Sequence, residues 1–158
     1  MPVVDARQFY WSAPPFEEQP LFRAPEEVMT GWTEVANQAQ VELERFGLPA
    51  TVMRAEEDFS VASPGVQILV CSARPFGVVL NWEPPIAGTP EFTKVVLDGA
   101  VNSPLLTYVA KGRIAMLDAS AAILNSAGFI TMKDYANGDG STYDYRVLFA
   151  PKVSIIER

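Results

Sequence analysis

The side chains that could do chemistry in this chain are one thiol and many carboxylates, with no imidazole. Histidine, the commonest general acid/base and metal ligand, is absent from all 158 residues. Cys71 is the only cysteine, and a catalytic thiol needs a neighbouring base, usually histidine, to form the thiolate. Cys71 also lies in the apolar stretch Val66–Cys71, where cysteine behaves as a small hydrophobic residue. We therefore expect a core cysteine and not a nucleophile.

Carboxylates are the other candidate groups, because a pair of them can act as general acid and base. The densest acidic cluster is Glu56, Glu57 and Asp58. Three consecutive side chains at the end of a strand point in different directions, and nothing in the sequence brings a second group to them. They could bind a divalent cation, but surface acids are the simpler interpretation. Ser141 and Lys133, on facing sides of the final hairpin, could pair as nucleophile and base, although that geometry is generic.

The segment Asn137–Ser141 has the composition of a calcium loop but not its spacing. If Gly140 took the sixth loop position, Tyr135 and Arg146 would stand first and twelfth, where an EF-hand needs Asp and Glu. Asn-Gly and Asp-Gly are instead typical of hairpin turns. No phosphate-binding fingerprint or serine-nucleophile elbow is present in the sequence. The sequence predicts no catalytic residue, no metal site and no cofactor, and we expect the protein not to be an enzyme.

Aromatic residues are the best indication of binding. Tyr and Trp are favoured at interface hot spots, and this chain has more of them than a small core needs: Trp11, Trp32, Trp82, Tyr108, Tyr135, Tyr143 and Tyr145. Trp32, Trp82 and Tyr108 could line a pocket between the long helix and the sheet. The alternative is that these rings pack in the core with their polar groups satisfied.

The net charge of −7 lies entirely in the first 58 residues, which hold 11 acids and 4 bases, whereas the remainder holds 8 of each. Binding to a nucleic-acid backbone needs clustered Lys and Arg, and the densest basic spot is only Lys111–Arg113. We therefore expect no nucleic-acid partner. An acidic surface favours a basic protein partner through electrostatic steering, although acidity is also a route to solubility.

The compartment is predicted from what the sequence lacks. One cysteine allows no internal disulfide, as is usual in a reducing cytosol. The N-terminal residues do not show a charged region followed by an apolar one, as a signal peptide would, and no apolar run approaches 18 residues. The sequence predicts a cytoplasmic protein without a membrane span.

Residues 1–25 are rich in proline and aromatic residues. Proline at this density opposes regular helix, and the rings would be poorly placed in water. We expect an extended arm that docks on its own domain or, through exchange with another copy, supports a homo-oligomer. Residues 26–158 are predicted to form a single α+β domain.

The clearest predicted element is a helix from Pro25 to Phe46, since Pro25 suits its start and Gly47 its end. Its apolar face is Val28, Trp32, Val35, Ala36, Ala39, Leu43 and Phe46, and its charged face is Glu27, Glu34, Gln38, Glu42 and Arg45. Two short helices are predicted at Ser103–Ala110 and at Ala119–Ala127, the second capped by Asp118.

Strands are predicted from β-branched and aromatic runs. They are Thr51–Glu57, Val66–Cys71, Phe76–Trp82, Phe92–Leu97, a hairpin of Phe129–Tyr135 and Tyr143–Phe149, and an edge segment at Val153–Ile156. The predicted fold class is α+β, with one long N-terminal amphipathic helix packed on a mainly antiparallel sheet, two short helices and a C-terminal β-hairpin.

These features favour a non-enzymatic acidic module that neutralises or escorts a basic partner protein. Immunity proteins, antitoxins and secretion chaperones share this profile, as an analogy of composition and architecture. The predicted partner-binding residues are Glu34, Glu42, Glu56, Glu57, Asp58 and Trp11. The alternatives are a self-assembling structural subunit of phage or particle type, and a small-molecule-binding protein that uses the pocket of Trp32, Trp82 and Tyr108.

Overall fold

The structure is a computed structural model that describes residues 2–12, 22–55, 63–135 and 143–158. Within these residues the chain forms four α-helices and five strands. In chain order they are α1 (Ala6–Ser12), α2 (Glu26–Arg45), β1 (Ala50–Arg54), β2 (Gly65–Cys71), β3 (Gly77–Glu83), α3 (Pro90–Leu97), α4 (Pro104–Ser126), β4 (Ile130–Tyr135) and β5 (Tyr143–Phe149). Short 3₁₀ helices lie at Pro85–Gly88 and Ile155–Glu157.

The sheet has the strand order β1-β2-β3-β5-β4. β1 pairs with β2 in parallel, and the other three pairings are antiparallel. Helix packing on a five-stranded, mainly antiparallel sheet with a C-terminal hairpin confirms the predicted fold class. Both β2 and β3 are interior strands, which explains why their sequences are almost continuously apolar.

One core lies between a single face of the sheet and the two long helices. Alternate residues of β2 and β3 point into it, as the cross-strand pairs Ile68–Leu80 and Val70–Val78 show. Helices α2 and α4 contact each other and cover this face. Cys71 is buried, as predicted. It lies on the opposite face of the sheet, because side chains alternate along β2 and the preceding residue, Val70, faces this core.

Helix α2 confirms the prediction made from its periodicity, with two differences on its apolar face. Glu26 and Glu27 occupy the first turn, where the positive end of the helix dipole favours carboxylates. Trp32, Val35, Ala36, Ala39 and Leu43 are all buried. Phe46, however, is exposed because the helix ends at Arg45, and Met29 takes a core position that the predicted face omitted.

The elements predicted at three places are wrong. Phe92–Leu97 is helix and not strand, because Thr89 caps it and Pro90 fixes its first turn. The two short helices are one helix, α4, since the exposed Gly112 costs only about 1 kcal/mol and buried Val109 and Leu117 lie on either side of it. Val153–Ile156 forms no strand and leads into a 3₁₀ turn.

The arm is not extended over Ala6–Ser12, which form α1. This stretch lies between Pro2 and Pro14 and contains no proline, so the proline-based prediction did not apply to it. Residues 22–25 carry no regular helix or strand, and the Ala24 backbone N–H donates to the Ser72 carbonyl at 2.7 Å. Ala6 and Ala24 are both buried in the core of residues 26–158, so the described parts of the arm dock within this chain.

Candidate protein-binding groove

The N-terminal segment is held across α2 by Trp32. The indole Nε1–H donates to the Val4 carbonyl at 2.8 Å, and the Trp32 residue is only 2% exposed. The Phe9 ring meets the Trp32 ring edge to face, with centroids 5.4 Å apart, and packs on Phe76 at 5.8 Å. A buried indole thus has its polar group satisfied by the segment that covers it.

Two further contacts fix the start of α1. The Asp5 carboxylate accepts from the Arg7 backbone N–H at 2.9 Å, which is an N-cap bond, and pairs with the Arg7 guanidinium at 2.7 Å. The guanidinium hydrogen bond is the main reason that the pKa of Asp5 is lowered. Ala6 packs directly on Gly77, where an added Cβ would lie 2.5 Å from the Ala6 Cβ, so only glycine fits there.

Residues 2–4 and the outer face of α2 enclose a groove of about 500 Å³. We call this the α2 groove; it is lined by Pro2, Val3, Val4, Glu27, Val28, Thr30, Gly31 and Glu34. The α2 residues recur at spacings of three, four and seven, so they lie on one helix face. Val3 faces Gly31, where an added Cβ would lie 4.0 Å from Val3, an ordinary van der Waals contact. The groove is therefore apolar along its floor, with carboxylates contributed by α2.

The two carboxylates of the α2 groove are exposed, and neither forms an ion pair with any residue that the structure describes. Glu34 accepts only a 3.3 Å hydrogen bond from the neutral Gln38 amide. Neighbouring Glu26 differs, because Arg54 of β1 binds it at 2.6 Å and lowers its pKa. Within the described ranges, the negative charge at the groove is thus left without a cation.

A substitution at Gly31 tests how Val3 packs on α2 in the α2 groove. We expect Gly31→Ala to raise the free energy of unfolding by about 0.5–1 kcal/mol, because alanine is the better helix former and its Cβ would lie 4.0 Å from Val3, an ordinary contact. Urea denaturation measures the change. Gly47→Ala is the matched control at the end of the same helix: Gly47 has φ of 80°, so there alanine should destabilise. A loss of stability in Gly31→Ala would contradict the described packing of Val3.

Glu42, predicted to belong to the partner-binding surface, is only 7% exposed. Its carboxylate pairs with Arg45 at 2.8 Å, and Arg45 also reaches Ser154. These residues line a separate cavity of about 260 Å³ together with Phe129 and Lys152. The charge of Glu42 is therefore compensated within the chain, and the helix periodicity missed this because the covering residues lie more than 80 positions away in sequence.

The structure does not bring the predicted pocket residues together on one surface. Trp32 is buried under Phe9, Trp82 is half-buried against the core, and Tyr108 is 67% exposed on α4. The Trp11 side chain and all of Glu56, Glu57 and Asp58 lie outside the described residues, as does the turn at Asn137–Ser141. Of the predicted partner-binding residues, only Glu34 is described as exposed and lines the α2 groove.

The tyrosines of the last strand have satisfied hydroxyls. Tyr145 and Tyr143 both donate to the Asp118 carboxylate, at 2.7 and 2.8 Å. These bonds, that of Tyr145 first, lower the pKa of Asp118. Asp118 lies inside α4 and does not cap it, which corrects the sequence prediction. Lys133 lies 4.5 Å from the centre of the Tyr143 ring, so its ammonium is engaged in a cation–π contact.

A charged cluster that the sequence did not predict lies on the other face of the sheet. Arg146 is 2% exposed and pairs with Asp134 at 3.0 Å. Asp144, directly across the strand pair from Asp134, is half-buried, and burial raises its pKa despite the nearby Arg113. Arg113 donates to the Asn81 side chain and to the Trp82 carbonyl. Strand alternation could have placed Asp134, Asp144 and Arg146 on one face, but not buried them there.

We expect Asp144→Asn to stabilise the protein at neutral pH. Since the folded-state pKa of Asp144 is raised, its carboxylate disfavours folding above that pKa, and the penalty disappears as pH falls through it. The gain in free energy of unfolding should therefore be present at pH 7 and shrink towards acid pH. Urea melts at several pH values measure it. A gain that grows as the pH is lowered would contradict the burial of this carboxylate.

No group of three or more Cys, Asp or Glu side chains within the described ranges could hold a metal ion. In the same ranges, no helix has the length and apolar character needed to cross a membrane. Comparison with protein-family models, with curated proteins and with solved structures finds no match.

Proposed function

We propose that this protein is a non-enzymatic binding module that neutralises or escorts a basic partner protein, as immunity proteins, antitoxins and secretion chaperones do. The observation that supports this most is the α2 groove, an apolar trough beside two carboxylates that have no cation within the described chain. Such a surface is complementary to a segment that carries both apolar and cationic side chains.

The spacing of the groove residues specifies the partner further. Glu27 and Glu34 are seven residues apart on α2, which is about 10 Å along the helix axis. Val3, Val4 and Val28 lie between them or facing them. We infer that the partner presents an apolar side chain to this floor, with an Arg or Lys on each side that reaches a carboxylate.

The overall charge supports the same partner class. The chain carries −7, all of it in residues 1–58, which include the N-terminal segment and α2. The negative electrostatic field raises the rate at which this protein encounters a basic protein, and it disfavours the binding of nucleic acid. We propose the cytoplasm as the compartment, because a single buried cysteine requires no oxidising environment.

The proposal is tested by comparative capture from lysate of the native host, with bound proteins identified by mass spectrometry at low and high salt. Three baits are compared: the natural chain, Glu27→Lys/Glu34→Lys, and the control Glu44→Lys/Glu157→Lys. Each double variant changes the net charge equally, and all four glutamates are exposed. We expect a basic protein on the natural chain and the control, lost from the groove variant and weakened by salt. A partner retained equally by all three baits would contradict the proposed surface.

A further inference from the structure

The surface around α3 is apolar, and its side chains are exposed in the part of the chain that the structure describes. Helix α3 has no buried residue, although five of its eight residues are apolar. Four large side chains around it are mostly solvent-exposed: Val96 at 52%, Leu97 at 81%, Val101 at 80% and Tyr108 at 67%. We call this set the α3 corner. Exposed large apolar residues that cluster mark interaction sites on proteins of this size.

The orientation of α3 follows from its contacts with the rest of the chain. Phe92 and Val95 are half-buried and face α4 and the Pro85–Gly88 turn. At 100° per residue, Leu97 then points directly away from the molecule. Lys94 lies about 60° from Leu97 to one side, and Asp98, just past the helix end, lies on that same side. The outward side of α3 is thus apolar at Leu97, with Lys94 and Asp98 along one edge.

The charged residues of this surface are of both signs, unlike the excess of acids in the whole chain. Helix α3 and its C-terminal end carry Glu91, Lys94 and Asp98. All three side chains are exposed, and Lys94 and Asp98 form no ion pair with each other or with another described residue. A cation and an anion of the same flank are therefore both available to a partner.

We propose that the α3 corner binds a second copy of this chain, with the two α3 helices antiparallel across a two-fold axis near Val96. In an antiparallel two-fold pair the same flank of each helix meets its own copy, so Lys94 of one chain lies opposite Asp98 of the other, twice. Leu97 lies at the centre, with Val96 on the flank opposite Lys94. Two chains of −7 repel each other, and a face that carries charges of both signs in self-complementary positions is where they meet at least electrostatic cost. This surface is separate from the α2 groove, so the proposal is independent of the proposed function.

The test is analytical ultracentrifugation of the natural chain, Lys94→Glu, Asp98→Lys and Leu97→Asp. We expect the natural chain to dimerise, and each variant to raise the dimer dissociation constant by at least about tenfold, because like charges then face each other twice or a charge enters the apolar centre. These positions are exposed, so circular dichroism should show all variants folded. Mixing Lys94→Glu with Asp98→Lys in equal amounts should restore the dimer, since both cross-pairs are then opposite in sign.

Rescue on mixing is the decisive result, because a change of stability or net charge alone cannot produce it. A natural chain that stays monomeric at high concentration would overturn the proposal. So would a dimer unaffected by all three variants, which would place the contact elsewhere, for example in the N-terminal arm. Glu44→Lys/Glu157→Lys serves as the surface control and should leave the dimer dissociation constant within about threefold of the natural value.

Discussion

Trp32→Ala is expected to lower the free energy of unfolding by about 3–5 kcal/mol, the largest effect of any single substitution proposed here. The residue is buried to 2% exposure, packs against Phe9 and belongs to the core between α2 and the sheet. Its removal leaves a cavity under the N-terminal segment and takes away the donor to the Val4 carbonyl. Urea denaturation monitored by circular dichroism measures the loss.

Trp32→Phe separates the ring from the hydrogen bond. Phenylalanine keeps an aromatic contact for Phe9 but cannot donate to Val4, so the expected cost is smaller, about 1–2 kcal/mol. Hydrogen exchange should show the local consequence, because the amides of α1 lose protection before those of β2 and β3. If the amides of α1 keep their protection in Trp32→Phe, the indole hydrogen bond does not hold the N-terminal segment on α2.

Glu27→Lys/Glu34→Lys is expected to slow association with the captured basic partner by roughly 10–100-fold at low ionic strength. The two carboxylates lie at the α2 groove without a described counter-ion, so their reversal puts two repulsive charges at the contact. The dependence of the association rate on salt should become weaker or change sign. Surface plasmon resonance over a salt series measures both quantities.

The control Glu44→Lys/Glu157→Lys changes net charge by the same amount away from the α2 groove. It should slow association only by the smaller, long-range contribution of net charge. Gly31→Leu provides the complementary variant, because it fills the apolar floor and leaves the charge unchanged; it should mainly accelerate dissociation. Equal slowing by the two double variants would show that overall charge, and not the groove, governs binding.

The long helix and the hairpin strands could be predicted because their signals are local. The apolar spacing of α2 and the alternation of Tyr143 and Tyr145 are read within one element. The error at α3 came from giving the β-branched Val95 and Val96 more weight than the start signal Thr89-Pro90, which was readable as a capped helix. The prediction ends one helix at Ala110 and starts another after a cap at Asp118, but tertiary packing carries α4 through both positions.

The candidate site depends on contacts that no local pattern contains. The α2 groove exists because the Val4 carbonyl meets the Trp32 indole, 28 residues away, which places Val3 opposite Gly31. Glu34 was predicted from its exposed helix position, and Glu27 was seen only as part of a charged face. Glu42 shares that predicted face but is covered by residues near the C-terminal end of the described chain. The burial of Glu42 depends on residues that are distant in sequence and come together only in the folded chain.

The contact between Ala6 and Gly77 has a consequence for the order of events during protein synthesis. Residues 2–9 are made well before Phe76 and Gly77, the surface on which they finally rest. Since a ribosome adds about 5–20 residues per second and its tunnel hides the newest ones, the segment must wait several seconds for this part of its docking site. Meanwhile the side of Phe9 that later packs on Phe76 is exposed to other chains. A folding helper that binds short apolar segments would find its best opportunity in this interval, before the β2–β3 hairpin emerges.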